Sequence, residues 1–211
     1  MKFLRHTAIL TLLVLTSCSK QSGDTLNDLN ASKHNFIKEV LNQSPDEGPF
    51  SMSYALDTSF CSDTVLSLLG KIYIFDHLPH GYEQYEGLTF YKENGKYIPI
   101  ALEDLFSTPT QKEWLRKYCE DFLKTDSIPS SYFVGETPLL TSLDSKLIHT
   151  FVLEPNGLCI IFQPYTVAGG TDGPPVIKIP YKIAQAHWNA SNPLMRTGYF
   201  HKLLVINLQK F

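Results

Sequence analysis

The sequence of 211 residues has only four cysteines and no cluster of basic residues. Its 18 Lys and Arg are outnumbered by 21 Asp and Glu, which gives a formal net charge of −3. An acidic chain without a basic patch lacks the electrostatic footprint of proteins that bind nucleic acid. We therefore expect no nucleic-acid partner.

Long apolar runs are missing beyond the N-terminus. Residues 8–15 form one short apolar run, and about eight to ten residues are too few to span a bilayer of about 30 Å as a helix. Lys2 and Arg5 precede this run, and two small polar residues lead from it to Cys18. This is the three-part layout of a bacterial secretion signal.

The position of Cys18 predicts a lipoprotein. We expect residues 1–17 to be removed as the signal peptide and Cys18 to be acylated, for example with palmitate; an ordinary secretory signal is the alternative. The lipid would hold the protein at the membrane of the cell envelope. Ser19, rather than an aspartate, follows Cys18, which favours the outer membrane, facing the periplasm, in a Gram-negative cell.

The remaining 194 residues contain 16 Lys and Arg against 21 Asp and Glu, a net charge of −5. Residues 18–32 are polar and lack periodicity, so we expect a flexible lipidated tether. A hydrophobic share of 43% over the whole chain is sufficient for a folded core. The sequence thus predicts one envelope domain over residues 33–211.

Three cysteines remain once Cys18 is acylated, and an odd number leaves at least one thiol unpaired. Cys119 and Cys159 lie in apolar surroundings, which favours buried free thiols. A disulfide between Cys61 and Cys119 is the alternative.

The first half of the domain reads mainly as strands. Residues 51–57 alternate apolar and polar side chains, and residues 65–75 are rich in β-branched and aromatic residues, either as two strands or as one with a bulge or bend at Gly70. Residues 88–91 and 97–100 predict a hairpin, because Asn94-Gly95 between them tolerates the positive φ angles of a tight turn.

The clearest helix follows Thr108. Thr108 can cap it, Pro109 suits its first position, and Gln111 falls three residues after the cap. Trp114 and Phe122 belong to its apolar face, so we expect both side chains to be buried.

Three late segments, residues 147–153, 158–162 and 176–179, read as strands joined by turns. Strands outnumber helices and do not alternate regularly with them. The predicted fold is therefore α+β, with a mostly antiparallel sheet packed against one or two helices.

Several segments resemble one bacterial domain of unknown function. They are residues 151–153, 156–165 and 173–181, together with the upstream residues 77–81 and 100–106. The domain is the extracytoplasmic part of RsiV-type anti-sigma factors, which sense lysozyme, and it also occurs beside the catalytic domain of some peptidoglycan deacetylases. The likeness covers about residues 51–185.

The resemblance implies a binding function at two loops, residues 77–85 and residues 165–174. Members usually carry a Pro-Tyr pair where this chain has Gly169-Gly170, so the second loop is expected to be more mobile here. Both segments combine turn-forming residues with aromatic and polar groups, as binding loops do. The candidate ligand contacts are His77, His80, Tyr82, Tyr85, Tyr165, Gly169, Gly170 and Asp172.

Catalysis is the weaker hypothesis. Asp76, His77 and His80 are residue types that bind zinc, but Pro79 prevents the regular helix that would align the two histidines. The chain also lacks a Gly-x-Ser-x-Gly motif. We expect no cofactor and no enzymatic activity.

The sequence therefore predicts a lipid-anchored envelope protein that binds a lysozyme-like protein or a cell-wall glycan (peptidoglycan). The alternative is a metal-dependent envelope hydrolase that uses Asp76, His77 and His80.

Overall fold

The computed structural model describes residue 31 and residues 51–75, 81–125, 141–168 and 173–196. Cys18, the tether apart from residue 31, and the His77–His80 stretch lie outside these ranges, so their predicted roles stay predictions. No helix within the described ranges is both long and apolar enough to cross a membrane.

Two antiparallel sheets carry the fold; the sequence predicts the antiparallel pairing and the α+β class but only one sheet. The first sheet has the order β1 (Ser51–Cys61), β2 (Val65–Phe75), β3 (Tyr82–Glu93) and β4 (Lys96–Pro99). The second has the order β5 (Phe151–Glu154), β6 (Gly157–Ile161) and β7 (Val176–Pro180).

Short helices connect and cover these sheets. They are α1 (Leu102–Leu105), α2 (Pro109–Leu123), α3 (Tyr181–Ala184) and α4 (Pro193–Arg196), with 3₁₀ turns at Ser145–Leu147 and Gln185–His187. The architecture is α+β and dominated by the sheets.

The hairpin between β3 and β4 confirms the turn prediction. Glu93 pairs with Lys96, and the two residues between them, Asn94 and Gly95, have φ angles of 51° and 82°. Two consecutive positive φ angles match the right-handed twist of the flanking strands.

Residues 65–75 form one strand, and the predicted irregularity at Gly70 is wrong. Gly70 pairs in register with Leu56 and Glu86, whereas the register shifts in β1, between Thr58 and Phe60. Gly70 instead makes room for an aromatic ring, because a Cβ there would lie 2.8 Å from the Tyr54 hydroxyl.

The second sheet lies against the first along β5, and three small or polar residues allow this contact. The Leu153 amide donates to the Ser67 hydroxyl at 2.8 Å, and the Ser67 and Thr89 hydroxyls lie 2.8 Å apart. A Cβ on Gly87 would lie 1.8 Å from the Phe151 carbonyl oxygen. The edge of β5 therefore sits directly on the face formed by β2 and β3.

The capping of α2 is as the sequence predicts. Thr108 accepts from the Gln111 amide at 3.2 Å, and the Gln111 side chain accepts from the Thr108 amide at 2.9 Å. Together these bonds form a capping box, with Pro109 at the first helical position.

The buried stripe of α2 differs from the prediction. Leu115, Cys119 and Leu123 are buried at four-residue spacing, whereas Trp114 and Phe122 are only partly buried at its flank. The Trp114 ring stacks between Phe106, at a centroid distance of 5.9 Å, and His187, at 3.9 Å. The rings of Trp114 and Phe122 thus lie at the border of the core, because the row of Leu115, Cys119 and Leu123 faces its centre.

Strand β5 begins at Phe151, four residues later than the prediction, because Ser145–Leu147 forms a 3₁₀ turn. Cys119 and Cys159 are free and buried, which confirms the expected thiols. The alternative disulfide between Cys61 and Cys119 is therefore wrong.

Candidate recognition surface at the Tyr165 turn

The base of the candidate site is a side-chain amide that bonds the backbone of β3. The Gln163 Oε1 accepts from the Tyr85 amide at 2.9 Å, and its Nε2 donates to the Tyr85 carbonyl at 2.6 Å. Strand β4 pairs with β3 only from Phe90 onward. The Gln163 amide therefore takes the place of a neighbouring strand at Tyr85.

Thr150 completes this connection. Its hydroxyl accepts from Gln163 Nε2 at 3.2 Å and lies 3.5 Å from the Tyr85 carbonyl. Thr150 is buried and its carbonyl accepts from the Ile161 amide at 2.9 Å. The start of the turn is thus held by both sheets.

Residues 163–168 form the turn that follows, named here the Tyr165 turn, and it presents an aromatic side chain. The Thr166 hydroxyl donates to the Gln163 carbonyl at 2.6 Å, and Val167 and Ala168 return to the core with buried side chains. Between these fixed points Tyr165 has a φ of 64° and is 59% exposed. An aromatic residue rarely adopts this left-handed conformation, which persists only where its surroundings impose it.

The structure places the other predicted contacts in different surroundings. Tyr82 and Tyr85 lie in β3 and not in a loop, so their predicted location is wrong. Tyr82 packs beside Tyr54, Ile72 and Ile74. The predicted loop assignment failed because β3 pairs in unbroken register with β2 from Tyr82 onward.

Tyr85 is buried with Val152, Cys159 and Ile161, and its hydroxyl donates to the Glu83 carboxylate. Burial is the largest cause that raises the pKa of Tyr85, followed by the hydrogen bond to Glu83. The side chain is a packing element between the two sheets. His77, His80, Gly169, Gly170 and Asp172 lie outside the described ranges.

The described thiols are poor nucleophiles. Burial raises the pKa of Cys119 to about 12. Burial, with a further contribution from Glu154, raises the pKa of Cys159 to about 12. Because the thiolate is the reactive form, neither cysteine is activated at neutral pH.

Within the described residues, no three His, Cys, Asp or Glu side chains come together as metal ligands. Asp76, His77 and His80 are not among these residues, and their proposed metal role stays untested.

Gln163 is the residue of the candidate site that sequence reasoning missed. Residues 158–162 are an apolar run at the end of β6 (Gly157–Ile161), and Gln163 is the first polar residue after this run. That position indicates the end of a strand, but the pattern does not show that the amide reaches a backbone 78 residues away in sequence.

A family described as "Protein of unknown function (DUF3298)" matches residues 103–182. This segment is similar to the DUF3298 domain. It contains α2, all of the second sheet, Gln163 and Tyr165, whereas the resemblance noted from the sequence extends further upstream. No curated protein matches the chain.

Two solved structures of DUF3298 family proteins are similar to this chain. One is from Pseudomonas aeruginosa PAO1, with 17% identity and a TM-score of 0.47, covering 78% of this chain and 70% of that chain. The other is from Bacteroides fragilis, with 15% identity and a TM-score of 0.49, covering 83% of this chain and 72% of that chain.

Proposed function

We propose that the protein is a lipid-anchored binding protein of the cell envelope, and that the Tyr165 turn recognises a lysozyme-like protein. The observation that carries this proposal is the conformation of Tyr165, an exposed aromatic residue held at positive φ between the fixed Gln163 and Val167. Tyrosine is among the residues that most often dominate the energy of protein interfaces.

The turn that carries Tyr165 is anchored at its base, and this favours a binding role for the exposed ring. Gln163 is bonded to Tyr85 and Thr150, so the base of the turn does not have to be ordered on binding. A preorganised aromatic contact reduces the entropy that association costs.

The negative net charge of the protein supports a basic partner. The chain that follows the predicted signal peptide carries a net charge of −5. Lysozymes are commonly basic, and opposite charge on two proteins accelerates their encounter. The resemblance to lysozyme-sensing anti-sigma factors points to the same class of partner.

The test compares two exposed tyrosines. Tyr165→Gly removes the ring and suits the positive φ, so the variant should keep the wild-type melting temperature to within a few degrees. Its affinity for hen egg-white lysozyme should fall by at least about tenfold, as for a central aromatic contact. Tyr73 is 42% exposed on β2, and Tyr73→Ala is the matched control that should bind normally.

Equal loss of binding in both variants would contradict the assignment of the turn. Failure of the wild-type protein to capture lysozyme, together with Tyr165-dependent capture of peptidoglycan fragments, would show that the partner is a glycan.

A further inference from the structure

A cleft of about 250 Å³ lies between α1, α2 and the 3₁₀ turn at Ser145–Leu147. Its apolar lining comes from Leu102, Phe106, Leu115 and Ile148, all of them buried residues. It shares no residue with the Tyr165 turn. The cleft is therefore separate from the Tyr165 turn, and all of its lining residues except Leu102 belong to the segment that matches DUF3298.

The charged groups of the cleft are two lysines and one glutamate. Lys112 comes from the first turn of α2, and Lys146 from the opposite wall. Both lysines are exposed, and neither forms an ion pair with another residue in the described part of the chain. With Glu103 also at the cleft, the local charge is +1 in a chain whose net charge is −3.

We infer that this cleft binds a small monocarboxylate with an apolar body. The apolar lining would bury the body, because burial of hydrocarbon is favourable in proportion to the area removed from water. The two ammonium groups would pair with the carboxylate. Glu103 repels a second negative charge, so a monoanion fits better than a dianion.

The size of the cleft limits the ligand. Sites for drug-sized molecules enclose about 300–1,000 Å³, and this cleft is smaller. It therefore suits a ligand smaller than a typical drug-sized molecule. An acyl chain of medium length, or the last two residues of a peptide with a free carboxyl end, is of this size.

The wall that carries Lys146 is fixed to α2 by a carboxylate. Glu120 accepts from the Leu143 amide at 2.9 Å and from Lys124 and Arg116, each at 2.5 Å. Leu143 is thereby held against the helix, three residues before Lys146. The two lysines thus project from supports that are joined to each other.

Octanoate and N-acetyl-alanyl-alanine are the two probes, because they represent the acyl and the peptide source of the same carboxylate. Each is titrated into ¹⁵N-labelled protein to about 10 mM, since ligands of this size bind in the millimolar range. At least one should shift the amide signals of residues 102–106, 112–115 and 145–148. The probe that binds more tightly identifies the source.

Variants of the two cleft lysines test the role of the charges, with Lys117→Gln and octanamide as controls. Lys112→Gln and Lys146→Gln should each weaken binding by about two- to fivefold, as expected for an exposed ion pair. Lys117 is exposed on the same helix but does not line the cleft, and Lys117→Gln should leave binding unchanged. Octanamide, which has the chain without the charge, should bind more weakly than octanoate.

The inference is overturned if neither carboxylate shifts these signals. It is also overturned if octanamide binds as well as octanoate, or if the two cleft lysine variants bind as the wild-type protein does. Because the readout requires no lysozyme, this result is independent of the function proposed for the Tyr165 turn.

Discussion

Gln163 bonds both the amide and the carbonyl of Tyr85, so one side chain joins the two sheets at the base of the exposed turn. Gln163→Ala should leave the Tyr85 amide without this partner and its carbonyl with only the Thr150 hydroxyl at 3.5 Å, and should destabilise the protein by about 1–3 kcal/mol. Urea denaturation measures this loss of stability. The Tyr85 amide should also exchange its hydrogen faster than in the wild-type protein.

Gln84→Ala is the control for this substitution, because Gln84 is a half-buried glutamine one residue away in β3. An unchanged exchange rate at Tyr85 in the Gln163 variant would mean that the side-chain amide does not hold the strand.

Because β5 lies so close to the first sheet, we expect a single methyl group added at Gly87 to lower the free energy of unfolding strongly. In Gly87→Ala the new Cβ would lie 1.8 Å from the Phe151 carbonyl oxygen, so the backbone must shift. We expect a loss of more than about 3 kcal/mol in the free energy of unfolding, at the upper end for overpacking.

Gly70→Ala provides the comparison, because its Cβ would meet the end of the Tyr54 side chain, 2.8 Å from the hydroxyl and 3.4 Å from Cζ. These are side-chain atoms, whereas the Cβ at Gly87 would meet backbone, so the loss should be smaller. Equal losses in thermal or chemical unfolding would contradict the close contact at Gly87.

Glu120 predicts a specific dependence of stability on pH. The hydrogen bond from Lys124 is the largest cause that lowers the pKa of Glu120, from 4.5 to about 2, and the Leu143 amide contributes further. A lowered folded-state pKa stabilises the protein fully above the unfolded value. This contribution should be lost progressively as the pH falls from about 4.5 to about 2.

Urea titrations across this pH range measure the effect. Glu120→Gln should flatten the acid branch of the curve, whereas Asp121→Asn, an exposed position on the same helix, should leave it close to wild type. An unchanged slope in the Glu120 variant would show that the carboxylate is not coupled to folding.

Lipidation of Cys18 predicts a processing defect. Cys18→Ala should accumulate as the unprocessed precursor and should incorporate no labelled fatty acid. The wild-type protein should fractionate with membranes, since several acyl chains hold a protein firmly whereas one chain binds reversibly. Normal maturation of the variant would refute the lipoprotein assignment.

Local signals in the sequence were sufficient for much of the fold. The Asn94-Gly95 turn and the Thr108 cap depend on residues within a few positions of each other, and both were predicted correctly. Contacts between distant segments were not predictable in this way. Neither the approach of Gly87 to Phe151 nor the bond from Gln163 to Tyr85 has a signature in periodicity.

The candidate site shows the same difference between what local sequence predicts and what depends on contacts between distant segments. Tyr165 was predicted as an exposed contact and is exposed, whereas Tyr85 shares its residue type and is buried. Which tyrosine reaches the surface depends on how the second sheet covers β3. That packing is a property of the folded chain and not of either segment.

We propose above all that the Tyr165 turn recognises a lysozyme-like protein. Hydrogen exchange of the wild-type protein, with and without saturating hen egg-white lysozyme, tests it most directly. The proposal predicts slower exchange over residues 163–168 and little change over β1 (Ser51–Cys61). Lysozyme that leaves the exchange of residues 163–168 unaltered, or protects a different surface, would contradict it.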